Sequence, residues 1–410
     1  MKTLLAQSDS SFSWHNDPIH RKWLKNEAIR QLSFFSASLA SQGKLRRLNW
    51  DGSEIVGAPQ ELHATTRLIH SYALGKQIGF DGSDAIILAG LQSLEKEHKD
   101  LTHGGYIWSF DENGPYDTSK LAYGHVFVLL AGASALQAGF EEANALIKEI
   151  SQILDEHFWD DSIGLFKEEF NRDWTQFSSY RGMNANMHGS EALLAAYEAT
   201  QDSMFLDRAG LILDFFVGTV APQYGWRIPE HFHSDWTIDP EYQGNPLFRP
   251  AGTTPGHSFE FARLRLQYWD LLGRPDDSAV AEARQLIETA LADAWLPEGG
   301  FCYTLGNQGK IKNRDRFWWP VTEAIGAISV LQRVDPRPEN EAWYRKLWEF
   351  ANQFLIDHDR GGWFGAIDAE NRPTEEQFKG KPDIYHSLQA SLIPLVSEIS
   401  HLHKGLREVS

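Results

Sequence analysis

The sequence predicts an all-α fold, a closed ring of six inner and six outer helices, or (α/α)6 barrel, with short β-hairpins in its loops. Three observations predict it. Gly- and aromatic-rich segments punctuate the chain about every 60 residues. Amphipathic or apolar helical patterns fill the intervals. Three helix starts repeat one unusual design, a histidine with Glu or Gln three residues on.

The punctuating segments are centred on Trp50-Asp51-Gly52, Gly104-Gly105-Tyr106, Gly164-Leu165-Phe166, Gly225-Trp226, Gly299-Gly300-Phe301 and Gly361-Gly362-Trp363. The interval before Gly299 is the longest. Turn-forming residues such as Asp111-Glu112-Asn113-Gly114 and Gly306-Asn307-Gln308-Gly309 predict hairpins with short aromatic strands. Between these points, Ala122–Ala138 is small and apolar nearly all round, which predicts burial on most sides. A helix continues through Glu191–Tyr197. Val280–Ala294 and Glu341–Leu355 carry their charges on one face. Two helices fit each interval at ordinary helix lengths, so apolar helices are expected inside and charged ones outside. No low-complexity or linker-like stretch interrupts the chain, and residues 1–410 read as a single domain.

The repeated design occurs at His188/Glu191, His257/Glu260 and His386/Gln389. An i, i+3 spacing puts both groups on one helix face. Each histidine is expected in the first turn of its helix, where Thr254-Pro255 reads as N-cap and first helical residue. Trp319-Pro320 and Lys381-Pro382 read as similar Pro-led starts. In a ring of alternating helices all inner N-termini meet at one mouth. That brings His188, His257, Glu323 and His386 together from distant parts of the chain. A helix N-terminus disfavours positive charge and keeps an imidazole neutral, available as a base. His63, Arg67 and His70 share another helix face, and Arg67 there is a fixed positive charge suited to holding an oxyanion.

Composition narrows the partners. With 38 basic against 56 acidic residues, the net charge of −18 and the lack of a basic stripe argue against nucleic acid. Residues Met1 to Asp9 hold too short an apolar run for a signal peptide, and no 18-residue apolar stretch predicts a membrane span. A cytoplasmic protein is expected, monomeric or a small homo-oligomer. Cys302 is the only cysteine and reads as a buried hydrophobe. No metal-ligand spacing stands out; His231-Phe232-His233 with Asp235 comes nearest. Trp50, Trp108, Tyr123, Trp226, Trp236, Trp318, Trp319 and Trp363 lie near loops or helix starts; most tryptophans are expected in the core, and about a third of this group is expected to line a site, where aromatic faces stack on sugar rings. A proton-handling pocket for a sugar is therefore expected. A glycoside hydrolase using Glu230, Asp235, Glu260 or Glu323 stays open, as does a non-enzymatic sugar-binding protein.

Four segments resemble the N-acylglucosamine 2-epimerase family. They are Arg181 to Ala192, Gly252 to Arg263, Arg316 to Ala324 and Asp383 to Leu388, within a likeness running from about residue 17 to about 400. The chain is most similar to the aldose–ketose isomerase branch, which the resemblance implies is metal-independent and free of obligate cofactors. The resemblance implies acid/base roles for His257 and His386, ring opening for His188, and a place near the sugar oxygens for Arg67. Tyr123, Asn184, Glu191, Glu260, Trp319 and Glu323 match substrate-binding positions. The expected reaction is the interconversion of D-mannose and D-fructose, with D-lyxose and D-xylulose as further substrates, through a cis-enediol. A sugar 2-epimerase is the alternative. Sulfosugar isomerases carry a Gln 21 residues before the last histidine; here that position is Gly365, which favours neutral hexoses.

Overall fold

The computed structural model describes residues 13–41, 43–306 and 308–409. The N-terminal stretch read above and Asn307 of the second hairpin turn lie outside the described residues. Twelve long helices alternate between two layers: α1 (Pro18–Phe35), α2 (Leu62–Gln77), α3 (Ser83–Ser93), α4 (Ala122–Gln137), α5 (Ala143–Ile153), α6 (Met183–Thr200), α7 (Ser203–Leu213), α8 (Pro255–Leu271), α9 (Ala279–Ala294), α10 (Trp318–Val334), α11 (Pro338–Phe350) and α12 (Tyr385–Leu392). A last helix, α13 (Leu402–Val409), packs on α2.

The even-numbered helices close a ring. Each packs on the next, and α12 returns to α2. The odd-numbered helices lie outside: α3 on α2, α5 on α4, α7 on α6 and α8, α9 on α8 and α10, α11 on α10, with α1 against α12 and α2. This is the expected (α/α)6 barrel. The reason lies in the sequence pattern. In α4, the run Val126 to Ala135 is buried throughout, because this helix has neighbours on every side. Burying each such Val, Leu or Phe contributes roughly 1.5–3 kcal/mol. In α5, only Ala143, Ile147 and Ile150 are buried, a one-sided stripe at i, i+4, i+7 facing the inner ring.

The punctuation has a common structural cause. The outer helices α3, α5, α7 and α11 each run into a wide π-type turn, at Leu94–His98, Leu154–Phe158, Asp214–Val220 and Ala351–Leu355. After three of these turns the chain reverses through glycine into a bridge: Lys99 with Tyr106, Trp159 with Phe166, Ile356 with Trp363. Trp295 with Phe301 repeats the bridge after α9. The pairs Gly104–Gly105, Gly299–Gly300 and Gly361–Gly362 all have positive φ, which residues with a Cβ rarely adopt. The Asp111–Gly114 hairpin forms as expected, with Phe110 opposite Pro115.

Short extended segments lead into the inner helices at the opposite end of each pair. Gln60–Glu61, Lys120–Leu121, Arg181–Gly182 and Arg316–Phe317 each pair with another segment just before a helix begins. They fix the mouth of the barrel. Among the described residues no helix is long and apolar enough to cross a membrane. Cys302 is fully buried, as expected.

Candidate active site

His257 is the third residue of α8, and Pro255 opens that helix at the first position. Thr254 occupies the N-cap position, but its hydroxyl makes no capping bond. His386 is the second residue of α12, whose start is capped instead by Asp383, which accepts from the Tyr385 amide at 3.1 Å. Pro382 precedes this helix, and Pro320 is the third residue of α10 rather than its opener. His188 departs from expectation. The helix begins at Met183, directly after the Arg181–Gly182 ladder, so His188 stands in the second turn and deeper in the barrel.

The ring nitrogens find partners across helices. Nδ1 of His257 lies 2.9 Å from the carboxylate of Glu230. Nδ1 of His386 lies 2.7 Å from Glu323 on α10. A carboxylate only accepts, so Nδ1 carries a proton in both rings, and in the neutral tautomer the lone pair lies on Nε2. The i, i+3 neighbours are not the partners for these two. Glu260 turns toward His188, whose Nδ1 is 3.4 Å away, and Glu191 lies 3.7 Å from the same nitrogen. The indole of Trp319 lies against both acid/base candidates, 5.0 Å from His257 and 5.9 Å from His386 between ring centroids.

Arg67 is held on two sides. Nη1 donates to Asp383 at 2.8 Å and Nη2 donates to the Tyr123 hydroxyl at 2.9 Å. Phe127 and Tyr385 lie 4.6 and 4.7 Å from the guanidinium. Its Nε has no partner within the protein. The other members of that helix face do different work. His70 bonds the Ser134 hydroxyl at 2.7 Å, and His63 stacks on Trp108. Asn184, at the second position of α6, has no partner for Oδ1 within the protein and bonds none of the other candidates.

Beneath this layer sits Arg263, which the sequence reading left without a role. Its Nη2 lies 3.3 Å from Glu323 and 3.7 Å from both Glu191 and Glu260. One cation faces three buried carboxylates from three inner helices. Burial pushes Glu260 well above the usual carboxylate range, reinforced by the charges of Glu323 and Glu191. Burial would raise Glu191 as well, but the His188 contact and Arg263 hold it well below. Arg263 and His386 likewise outweigh burial at Glu323 and lower it. Burial lowers His188 to about 4, so it is neutral at physiological pH. The arrangement therefore brings together two oriented imidazoles, one neutral imidazole, one carboxyl pushed toward its protonated form and one fixed cation.

Among the described residues, one grouping has metal-ligand spacing: His188, Glu191 and Glu260, with donor atoms within 4.8 Å of one another. The Arg263 guanidinium already balances its carboxylates. The His231 candidate does not converge. Its ring bonds Tyr180 and the Pro250 carbonyl, while His233 is exposed. Asp235 caps the exposed turn at Thr237. Of the tryptophans, Trp319 lies against His257 and His386 and Trp108 against His63; Trp318 is buried with its ring edge-on to His386, and Trp236 and Trp363 are core.

The sequence model of the N-acylglucosamine 2-epimerase (GlcNAc 2-epimerase) family matches residues 43–390. The chain belongs to this family. Its relatives within and around the N-acylglucosamine 2-epimerase family include two proteins named D-mannose isomerase. That of Pseudomonas cannabina pv. alisalensis is 37% identical over 394 residues, 94% of each chain. That of Thermobifida fusca is 35% identical over 390 residues, covering 93% of this chain and 96% of the relative. A crystal structure of D-mannose isomerase superposes with a TM-score of 0.86 at 30% identity, over 91% of this chain and 97% of the other. The family match, residues 43–390, takes in every residue of the site described above.

Proposed function

We propose that the chain is an aldose–ketose isomerase that interconverts D-mannose and D-fructose, acting in the cytoplasm as one catalytic domain and without a metal ion. One observation supports this reading above the others: two imidazoles, each fixed through Nδ1 by a buried carboxylate, flank the same indole. A hydrolase needs two free carboxyls in suitable separation. Here Glu230 and Glu323 are occupied with histidines, Glu260 is buried beside Arg263, and Asp235 is at the surface.

The chemistry follows from the geometry. The C2–H of an aldose is weakly acidic, so a neutral base and a holder for the enediolate are needed. Nε2 of His386 removes the C2 proton, leaving the electron pair in a cis-enediol(ate), and returns a proton at C1. His257 moves protons between the sugar oxygens. Arg67 faces the developing oxyanion, held in place by Asp383 and Tyr123. His188, next to Glu191, serves ring opening. Glu260, Asn184 and Trp319 bind hydroxyls and the apolar face of the sugar.

The test is incubation with mannose in D2O, followed by NMR. Fructose deuterated at C1 supports the isomerase. Glucose deuterated at C2 makes the protein a 2-epimerase instead, and an unchanged sugar removes both.

A further inference from the structure

Gly256 is the second residue of α8, immediately before His257. Its backbone is helical, so its conformation does not call for glycine. Trp319 on α10 does. A Cβ added at Gly256 would lie 2.1 Å from Cζ3, 2.7 Å from Cη2 and 2.8 Å from Cε3 of that indole. Ordinary carbon contacts are about 3.5–4.0 Å. The six-membered edge of the indole is therefore seated on the bare backbone of α8. Tyr303 stands on edge to the same indole, 6.3 Å away between centroids.

The indole is also the surface against which both imidazoles lie. Each imidazole is held on its Nδ1 side by a carboxylate, Glu230 or Glu323. Neither ring is free to follow the indole if it is displaced. We propose that Gly256 is a positioning residue: its missing side chain lets Trp319 sit on α8 and sets the spacing between the indole face and the two imidazoles. This rests on reading His257 and His386 as the proton-transfer pair. Any side chain at position 256 drives the indole outward by about 1 Å or more, and a displacement of that size costs about 100-fold in an oriented reaction.

The experiment compares the parent enzyme with Gly256→Ala, Trp319→Phe and the double variant, by mannose turnover and thermal unfolding. Alanine is the better helix former, so a Gly256→Ala protein with no steric conflict would be no less stable and fully active. The expected result is a folded Gly256→Ala enzyme with kcat down about 100-fold and KM changed much less. Adding Trp319→Phe removes the atoms in conflict, so the double variant recovers about tenfold or more over Gly256→Ala. A folded Gly256→Ala enzyme with kcat within about threefold of the parent overturns the proposal, as do losses that simply multiply in the double variant. If Gly256→Ala does not fold, a folded double variant with the activity of Trp319→Phe supports the steric seat, and an unfolded one overturns it. A parent that does not turn over mannose overturns the isomerase reading itself, which is a separate result.

Discussion

Nδ1 of His257 and the carboxylate of Glu230 meet at 2.9 Å although 27 positions separate them, and this pair decides which nitrogen of the imidazole carries its hydrogen. Glu230 is almost fully buried and its backbone carbonyl also accepts from the Met183 amide. The residue thus ties the start of α6 to the start of α8. Glu230→Gln keeps the shape but places an NH2 where only an acceptor is tolerated. Either the amide flips or the ring takes the wrong tautomer. We expect kcat to fall by roughly 100- to 10,000-fold, with circular dichroism unchanged.

His386 and Glu323 form the matching pair from α12 and α10. His386→Ala removes the proposed C2 base, and kcat should fall by roughly 100- to 10,000-fold. Glu323→Gln acts through the same imidazole, so adding it to His386→Ala should cost little more. Steady-state kinetics of the two single variants and the double variant check this; fully multiplicative losses would show that Glu323 works elsewhere.

Arg263 faces Glu191, Glu260 and Glu323 with 2% of its surface exposed. Arg263→Met leaves buried carboxylates without their cation, a loss of roughly 3–5 kcal/mol in unfolding free energy. Arg263→Lys keeps the charge but not the planar fork, and should lose less. Urea titration separates the two.

Glu260 and Glu191 should respond unequally to the same substitution. Burial and two neighbouring carboxylates push Glu260 toward its protonated form, so Glu260→Gln removes less charge than the same change at Glu191 and costs less stability. Glu191 is held ionised, so Glu191→Gln removes charge from the His188 and Arg263 contacts and destabilises. Thermal unfolding of the two variants at pH 7 reads the difference.

Acid should unfold the protein from just below neutral. Burial lowers His15, His70, His98 and His188 to about 4, and His20, His125 and His403 to about 3. The unfolded chain binds these protons near 6.5, the folded one only far below. Their contribution is therefore complete above about pH 6.5 and is lost as pH falls toward 4. Glu27 and Glu198, raised to about 7 by burial, and Glu168, raised to about 8, work the other way over the same interval. The histidines are more numerous, so Tm should decline steadily from pH 6.5 to 4.5.

The ring of helices was legible because punctuation and amphipathicity are local signals. Ala122–Ala138 and Val280–Ala294 match α4 and α9 to within one residue, while Glu341–Leu355 covers most of α11 and the π-type turn after it. His188, His257, Glu323 and His386 were legible as members of one mouth, Arg67 as a fixed charge on another helix face, and Trp319 only through the family resemblance. Their pairings were not. The i, i+3 rule places Glu260 on the face of His257, yet on an inner helix that step also moves one turn deeper, level with His188 on the neighbouring helix. Glu230 comes from a loop with no periodicity, and Arg263, two turns below His257, meets its carboxylates only once three helices have converged. Contacts of that kind leave no spacing to read.

The ion pair between Arg67 and Asp383 spans 316 positions and joins α2 to the segment that caps α12. It is the stitch where the circle shuts. A chain still emerging from the ribosome, or one cut before residue 383, has five-sixths of its inner wall and lacks the carboxylate that holds Arg67. In refolding, helical signal will run ahead of turnover, and the lag between them times the last seam.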